Sequence, residues 1–160
     1  MKVLFVCTGN TCRSGMARAF ALKELERAGV TGVEVLSAGT CTVPGRPASR
    51  NAVQVMEELG LDLKDHRTTA LDRKMVEEAG LILTMTEWHR REVLEVYPGA
   101  AGKVFTLGEY TGVGGNVVDP FGGNPEVYRR AADQLAGLVK LSVDRLLKEM
   151  QAGRAGESRS

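Results

Sequence analysis

One stretch near the start constrains this chain more than any other. The apolar run Val3-Leu4-Phe5-Val6 leads directly into Cys7-Thr8-Gly9-Asn10-Thr11-Cys12-Arg13-Ser14, and a helical pattern opens behind it. A short β-branched run, a polar turn and an amphipathic segment in that order read as strand, loop and helix of a parallel α/β unit. Backbone N–H groups of a loop at a helix N-terminus converge readily on an oxyanion. Gly9 lets the backbone curl tightly around such an anion. Arg13 can grip two phosphoryl oxygens at once, which a lysine cannot do with the same geometry. The same positive field favours the thiolate of Cys7, the form that attacks phosphorus. The loop therefore points to cysteine-dependent phosphatase chemistry. The bland alternative, a buried Cys7 beside a solvated Arg13, is weakened by the strand before the loop and the helix after it.

Downstream, strand-like and helix-like segments alternate, which predicts an α/β fold: one three-layer domain with a four-stranded parallel sheet flanked by helices on both faces. The strands are expected near Lys2–Val6, Val33–Ser37, Leu81–Met85 and Lys103–Leu107. The first helix is expected over Ser14–Ala28, with Gly29 behind it. A second is expected from Pro47 to Leu59, a short one over Asp72–Ala79, and one capped by Thr86 that runs to Val96. Residues 62–70 look irregular, and the glycine-rich Gly112–Gly123 cannot be a helix or strand throughout. Asn124 and Pro125 are the N-cap and first residue of the last helix. Residues 1–151 are expected to form the domain, and 152–160 a disordered C-terminal tail.

Composition excludes several classes. Lys and Arg number 21 against 20 Asp and Glu, so there is no basic footprint for nucleic acid and no charged run for a membrane surface. No apolar run is long enough to span a bilayer. The start shows no signal-peptide pattern, and the 3 cysteines do not form a secreted disulfide framework. A reducing cytoplasm is the expected location.

A second chemical element is Asp119-Pro120, just before the last helix. Transfer of a phosphoryl group to Cys7 needs help for the leaving group, and a carboxylic acid on a loop supplies it. Alone, Asp-Pro is an ordinary turn opener. Together, Cys7–Ser14, Ser37-Ala38-Gly39-Thr40 and Asp119-Pro120 resemble the low-molecular-weight protein tyrosine phosphatases over about residues 1–150. That resemblance implies a phosphocysteine intermediate with no metal and no cofactor. It implies Cys7 as nucleophile, Arg13 as phosphate clamp, and Asp119 as general acid and then general base. It further implies loop N–H donors from Thr8, Gly9, Asn10, Thr11 and Cys12, a hydrogen bond from Ser14 to the Cys7 sulfur, and Asn10 as a brace. Phosphorylated proteins are the implied partners and inorganic phosphate the product.

Two positions narrow the resemblance. Thr11 stands where tyrosine-specific members carry an aliphatic residue, and Phe121 where they usually carry tyrosine after the proline. Both resemble the bacterial protein arginine phosphatases. A hydroxyl at that wall suits a guanidinium, whereas an aliphatic wall suits a phenyl ring. Gly15 departs from the family, which usually has proline there, and should cost about 1 kcal/mol of local order. Tyrosine phosphatase is the alternative. Arsenate reductase would need further cysteines near the third strand, and Gly80–Arg91 contains none. A phosphoprotein-binding module without catalysis would not need Cys7, Arg13 and Asp119 together. Cys12 is a candidate partner for oxidised Cys7 in a regulatory disulfide. Cys41 is assigned no chemistry, and His66 and His89 read as surface or hydrogen-bonding residues.

Overall fold

The computed structural model describes the backbone of residues 1–159 and the side chains of residues 1–154. Its elements are β1 (Lys2–Cys7), α1 (Arg13–Arg27), β2 (Glu34–Gly39), α2 (Arg50–Glu58), α3 (Arg73–Glu78), β3 (Leu81–Thr84), α4 (Glu87–Val96), β4 (Val104–Thr106), α5 (Leu107–Thr111) and α6 (Pro125–Arg159). The strands form one 4-stranded parallel sheet in the order β2-β1-β3-β4. This is the expected α/β architecture with helices on both faces.

Strand alternation decides which residues meet which layer. Val3, Phe5 and Cys7 of β1 pack with Leu81 and Leu83 of β3 beneath α1, α2 and α6, against residues such as Met16, Met56 and Leu135. Leu4 and Val6, between them in sequence, face the opposite way with Ile82 and Val104, under Val76 of α3 and Val93 of α4. β1 is thus covered on both sides, as its uninterrupted apolar run requires. Because every strand is parallel, the ends of β1, β2 and β3 open at one edge, where the loops carrying Cys7, Cys41 and Thr86 begin.

Several boundaries differ from the expected ones. Helix α2 starts at Arg50 rather than Pro47, because Ser49 caps it by accepting the Ala52 N–H at 3.3 Å. Pro47 instead forms an isolated antiparallel bridge with Arg67. β4 stops at Thr106, where a capping box with Glu109 starts the unforeseen α5. The glycine-rich stretch from 112 to 123 holds no helix or strand, as expected. Asn124 caps α6 through the Val127 N–H at 3.1 Å. A correction is needed beyond residue 151, where α6 continues as helix to Arg159 instead of becoming a disordered tail. Residues 151–159 contain no proline to stop the helix, and their alanine, arginine and glutamate offset the weaker Gly153 and Gly156. Ser160, the last residue of the expected tail, lies outside the described residues. No helix among the described residues is long and apolar enough to cross a membrane.

Candidate active site

The loop between β1 and α1 turns around a left-handed residue, Asn10, at φ 57°. A side chain pays a steric cost there, and asparagine is among the few residues that tolerate it. Its amide also holds the turn in place. Nδ2 donates to Ser14 Oγ at 2.7 Å and to Ser37 Oγ at 3.0 Å, and Oδ1 accepts the Thr69 N–H at 2.9 Å. The Asn10 carbonyl lies 2.6 Å from His66 Nε2. One residue thus ties the loop to α1, to β2 and to the segment before α3.

Cys7 is buried at the end of β1. Its Sγ lies 2.9 Å from Ser14 Oγ and accepts the Asn10 N–H at 3.3 Å. Both contacts can donate hydrogen bonds to a thiolate, as the resemblance implied for Ser14. Arg13 is 4% exposed, which is exceptional for a guanidinium and demands partners. Its NH1 donates to the Val117 carbonyl at 3.0 Å, and its NH2 lies 3.5 Å from Asp119 Oδ2. Its buried Nε has no hydrogen-bond acceptor among the described residues. A buried N–H of this kind, beside a cysteine and at the start of α1, suits an oxyanion.

Asp119 is brought to this loop from 106 positions further along the chain. Val117 is the anchor that brings it there: its N–H donates to the Met85 carbonyl at the end of β3, while its own carbonyl receives Arg13. Asp119 Oδ1 accepts the Phe121 N–H at 3.0 Å, which turns the chain at Pro120. The carboxyl remains about half exposed and faces the cleft.

The cleft has a volume of about 390 Å³ and is lined by the Cys7 loop together with Cys41, Val43, Arg46, Asp119 and Phe121. Thr8, Gly9, Thr11, Cys12 and Arg13 all contribute to its wall, whereas Asn10 and Ser14 are buried behind it. Asn10 and Ser14 therefore shape the loop from beneath. Phe121 is exposed and stands at the mouth. Burial pushes the Cys12 thiol up to about 11, with nearby Cys7 adding to the effect.

Sequence reasoning understated three residues. His89 is 2% exposed and bonds Thr8 across the cleft edge. His66 braces the Asn10 carbonyl, and its ring also occupies the space beside Gly15, where an added Cβ would meet it at 3.0 Å. Val117 acts through its backbone. Trp88 is an exposed residue of α4, and Gly112–Gly115 lie in the loop that follows α5.

A parallel four-stranded domain that presents a cysteine and a buried arginine on one anion loop defines the class. The chain belongs to the low molecular weight phosphotyrosine protein phosphatase family, whose model matches residues 2–153. Among its relatives is the protein-arginine-phosphatase of Geobacillus stearothermophilus, 42% identical over 151 residues, or 94% of this chain and 96% of that protein. The protein-arginine-phosphatase of Bacillus subtilis is 39% identical over 150 residues, covering 93% and 99%. Of solved structures, a YwlE arginine phosphatase mutant with a phosphorylated active-site serine superposes with a TM-score of 0.90 at 37% identity, covering 94% of this chain and 99% of that one.

Proposed function

We propose that this chain is a protein phosphatase that hydrolyses phosphoarginine in proteins. The observation that carries the chemistry is the convergence of Cys7 Sγ, the unpartnered Arg13 Nε and the Asp119 carboxyl on one cleft. The arginine preference draws on Thr11 and Phe121 at that cleft and on the names of the two relatives.

In the first step Cys7 Sγ attacks phosphorus, the S–P bond forms and the P–N bond breaks. Asp119 gives its proton to the departing guanidine nitrogen, and the resulting carboxylate pairs with the guanidinium. Arg13 and loop N–H groups between Thr8 and Cys12 hold the phosphoryl oxygens, while the Asn10 N–H and Ser14 hydroxyl stabilise the sulfur. In the second step Asp119 takes a proton from water, the water oxygen attacks phosphorus, and the S–P bond breaks. Inorganic phosphate leaves and Cys7 returns to its thiolate. No step draws on a metal or a cofactor. Residues 1–151 are the unit that does this, on phosphoprotein substrates in the cytoplasm.

Turnover of matched phosphoarginine and phosphotyrosine peptides by wild type, Cys7→Ser and Thr11→Ile tests the reading. Wild type should prefer phosphoarginine, and Cys7→Ser should be inactive because a neutral hydroxyl is a far weaker nucleophile. Thr11→Ile should lower the phosphoarginine/phosphotyrosine ratio of kcat/KM by about tenfold. A wild-type preference for phosphotyrosine would make this chain a tyrosine phosphatase instead.

A further inference from the structure

Thr8 follows the nucleophile directly, is exposed, and lines the cleft. Its hydroxyl is not free to rotate at will, because Oγ1 lies 2.8 Å from Nε2 of His89, a residue 81 positions away on α4. His89 is itself fixed at its other nitrogen. Nδ1 lies 3.0 Å from Thr86 Oγ1, and that same oxygen accepts the His89 N–H at 3.2 Å as the cap of α4. Thr86, His89 and Thr8 therefore form a polar chain that begins at a helix cap and ends at a hydroxyl on the cleft wall.

Proton accounting shows what this chain can present. Burial pushes the His89 ring down to about 4, with the Arg13 guanidinium adding to it and Asp119 opposing it, so the ring is neutral near pH 7. A neutral ring carries one proton. With that proton on Nδ1, His89 donates to Thr86 and Nε2 accepts the Thr8 hydroxyl. The lone pairs of Thr8 Oγ1 then remain available as acceptors. With the proton on Nε2, Thr8 accepts from the ring and its own hydroxyl proton is free to point into the cleft. A guanidine leaving group brings N–H donors and needs acceptors, whereas a tyrosine ring brings neither.

We propose that Thr8 is a specificity-determining residue that accepts an N–H of the guanidine leaving group, and that His89 is the positioning residue that turns its lone pairs toward the substrate. This rests on the phosphoarginine reading above and extends it to a second residue of the cleft lining and to a different element of the fold. Thr8 supplies the contact, and α4, through His89, supplies its direction.

The experiment measures the phosphoarginine/phosphotyrosine ratio of kcat/KM on matched peptides for wild type, Thr8→Val, Thr8→Ser, His89→Leu, His89→Gln and the Thr8→Val/His89→Leu double variant. Thermal unfolding monitors the fold of each. Thr8→Val keeps the shape but removes the hydroxyl, and should lower the ratio by about tenfold, the worth of one well-made hydrogen bond. His89→Leu should lower it as far, and the double variant no further, because both changes remove the same interaction. Thr8→Ser and His89→Gln restore a hydroxyl and a side-chain hydrogen-bonding group, and should stay within about threefold of wild type. If wild type prefers phosphoarginine and Thr8→Val keeps the wild-type ratio, the assignment of Thr8 and His89 is overturned while the function stands. If wild type prefers phosphotyrosine, the function and this assignment fall together. Should His89→Leu not fold, the Thr8→Val and Thr8→Ser pair still decides the role of Thr8, and His89→Phe, which keeps a ring but no hydrogen-bonding nitrogen, takes its place: a wild-type ratio in that variant would overturn the role of His89.

Discussion

Replacing Asn10 separates two costs that the loop combines. Asn10→Ala deletes the bonds to Ser14, Ser37 and Thr69, all at buried or half-buried positions. At about 1 kcal/mol each, these amount to about 3 kcal/mol. The backbone at φ 57° adds a second penalty, since an alanine Cβ in that region costs about 1–2 kcal/mol. The sum is about 4–5 kcal/mol, a large share of a typical domain's stability. Asn10→Gly deletes the same bonds without the Cβ penalty. Alanine should therefore be the less stable of the two by about 1 kcal/mol, the reverse of their usual order in regular structure. Urea unfolding of wild type and both variants, fitted with a common slope, measures this directly. kcat/KM on an activated aryl phosphate should fall in both variants, because the Asn10 side chain no longer fixes Ser14 and the loop backbone N–H against the Cys7 sulfur. Equal stability of the alanine and glycine variants would refute the backbone argument. A full loss of stability with wild-type turnover would refute the claim that the network orients the nucleophile.

Asp119→Asn should slow turnover of a phosphopeptide by about two to four powers of ten but matter less for an aryl phosphate with a good leaving group; equal losses on both, read from kcat, would make Asp119 a positioning group. Mild peroxide should inactivate the enzyme and a dithiol restore it through a Cys7–Cys12 disulfide, detected by mass spectrometry of the loop peptide; because burial holds the Cys12 thiol high, closure should quicken as pH rises, and irreversible Cys7 oxidation alone would remove that role. Burial lowers the ring of His89 to about 4 and that of His66 in the same direction. Their unfolded forms therefore bind protons first, so stability is complete above about pH 6.5 and falls as pH drops toward 4, by up to about 3 kcal/mol for His89. Urea midpoints between pH 7 and pH 4 check this, and His89→Gln should flatten the slope.

Much of this was legible along the chain because it is local. β1, its loop and α1 are contiguous, and an apolar run, a polar turn and a helical pattern describe them fully. The caps at Thr86 and Asn124 show their type in their own side chains. The start of α5 was legible too, since Thr106 and Glu109 have capping-box spacing, but the strand-like run through Leu107 concealed it. The pairing of Pro47 with Arg67 moved the start of α2, and no propensity at Pro47 reveals a partner 20 residues on. His89 looked like an unremarkable helical histidine because its meaning depends on Thr8, which only the β1–β3 pairing brings near. Val117 left no signal at all, for the group that matters is its carbonyl, which every residue has.

That carbonyl has a consequence for how this loop tolerates change. Val117 is pinned between β3 and Arg13, only two positions before the acid. Asp119 therefore works on a short tether, spanning about 7 Å at full extension. The Gly112–Gly115 side lies upstream of the pin, and extra residues there leave the tether unchanged. A single residue inserted between Val117 and Asp119 lengthens it by about 3.3–3.6 Å, more than a hydrogen-bond length. Length variation in this loop thus has two different effects on either side of one peptide group: toward α5 it leaves the reach of Asp119 unchanged, and toward Pro120 it alters that reach directly.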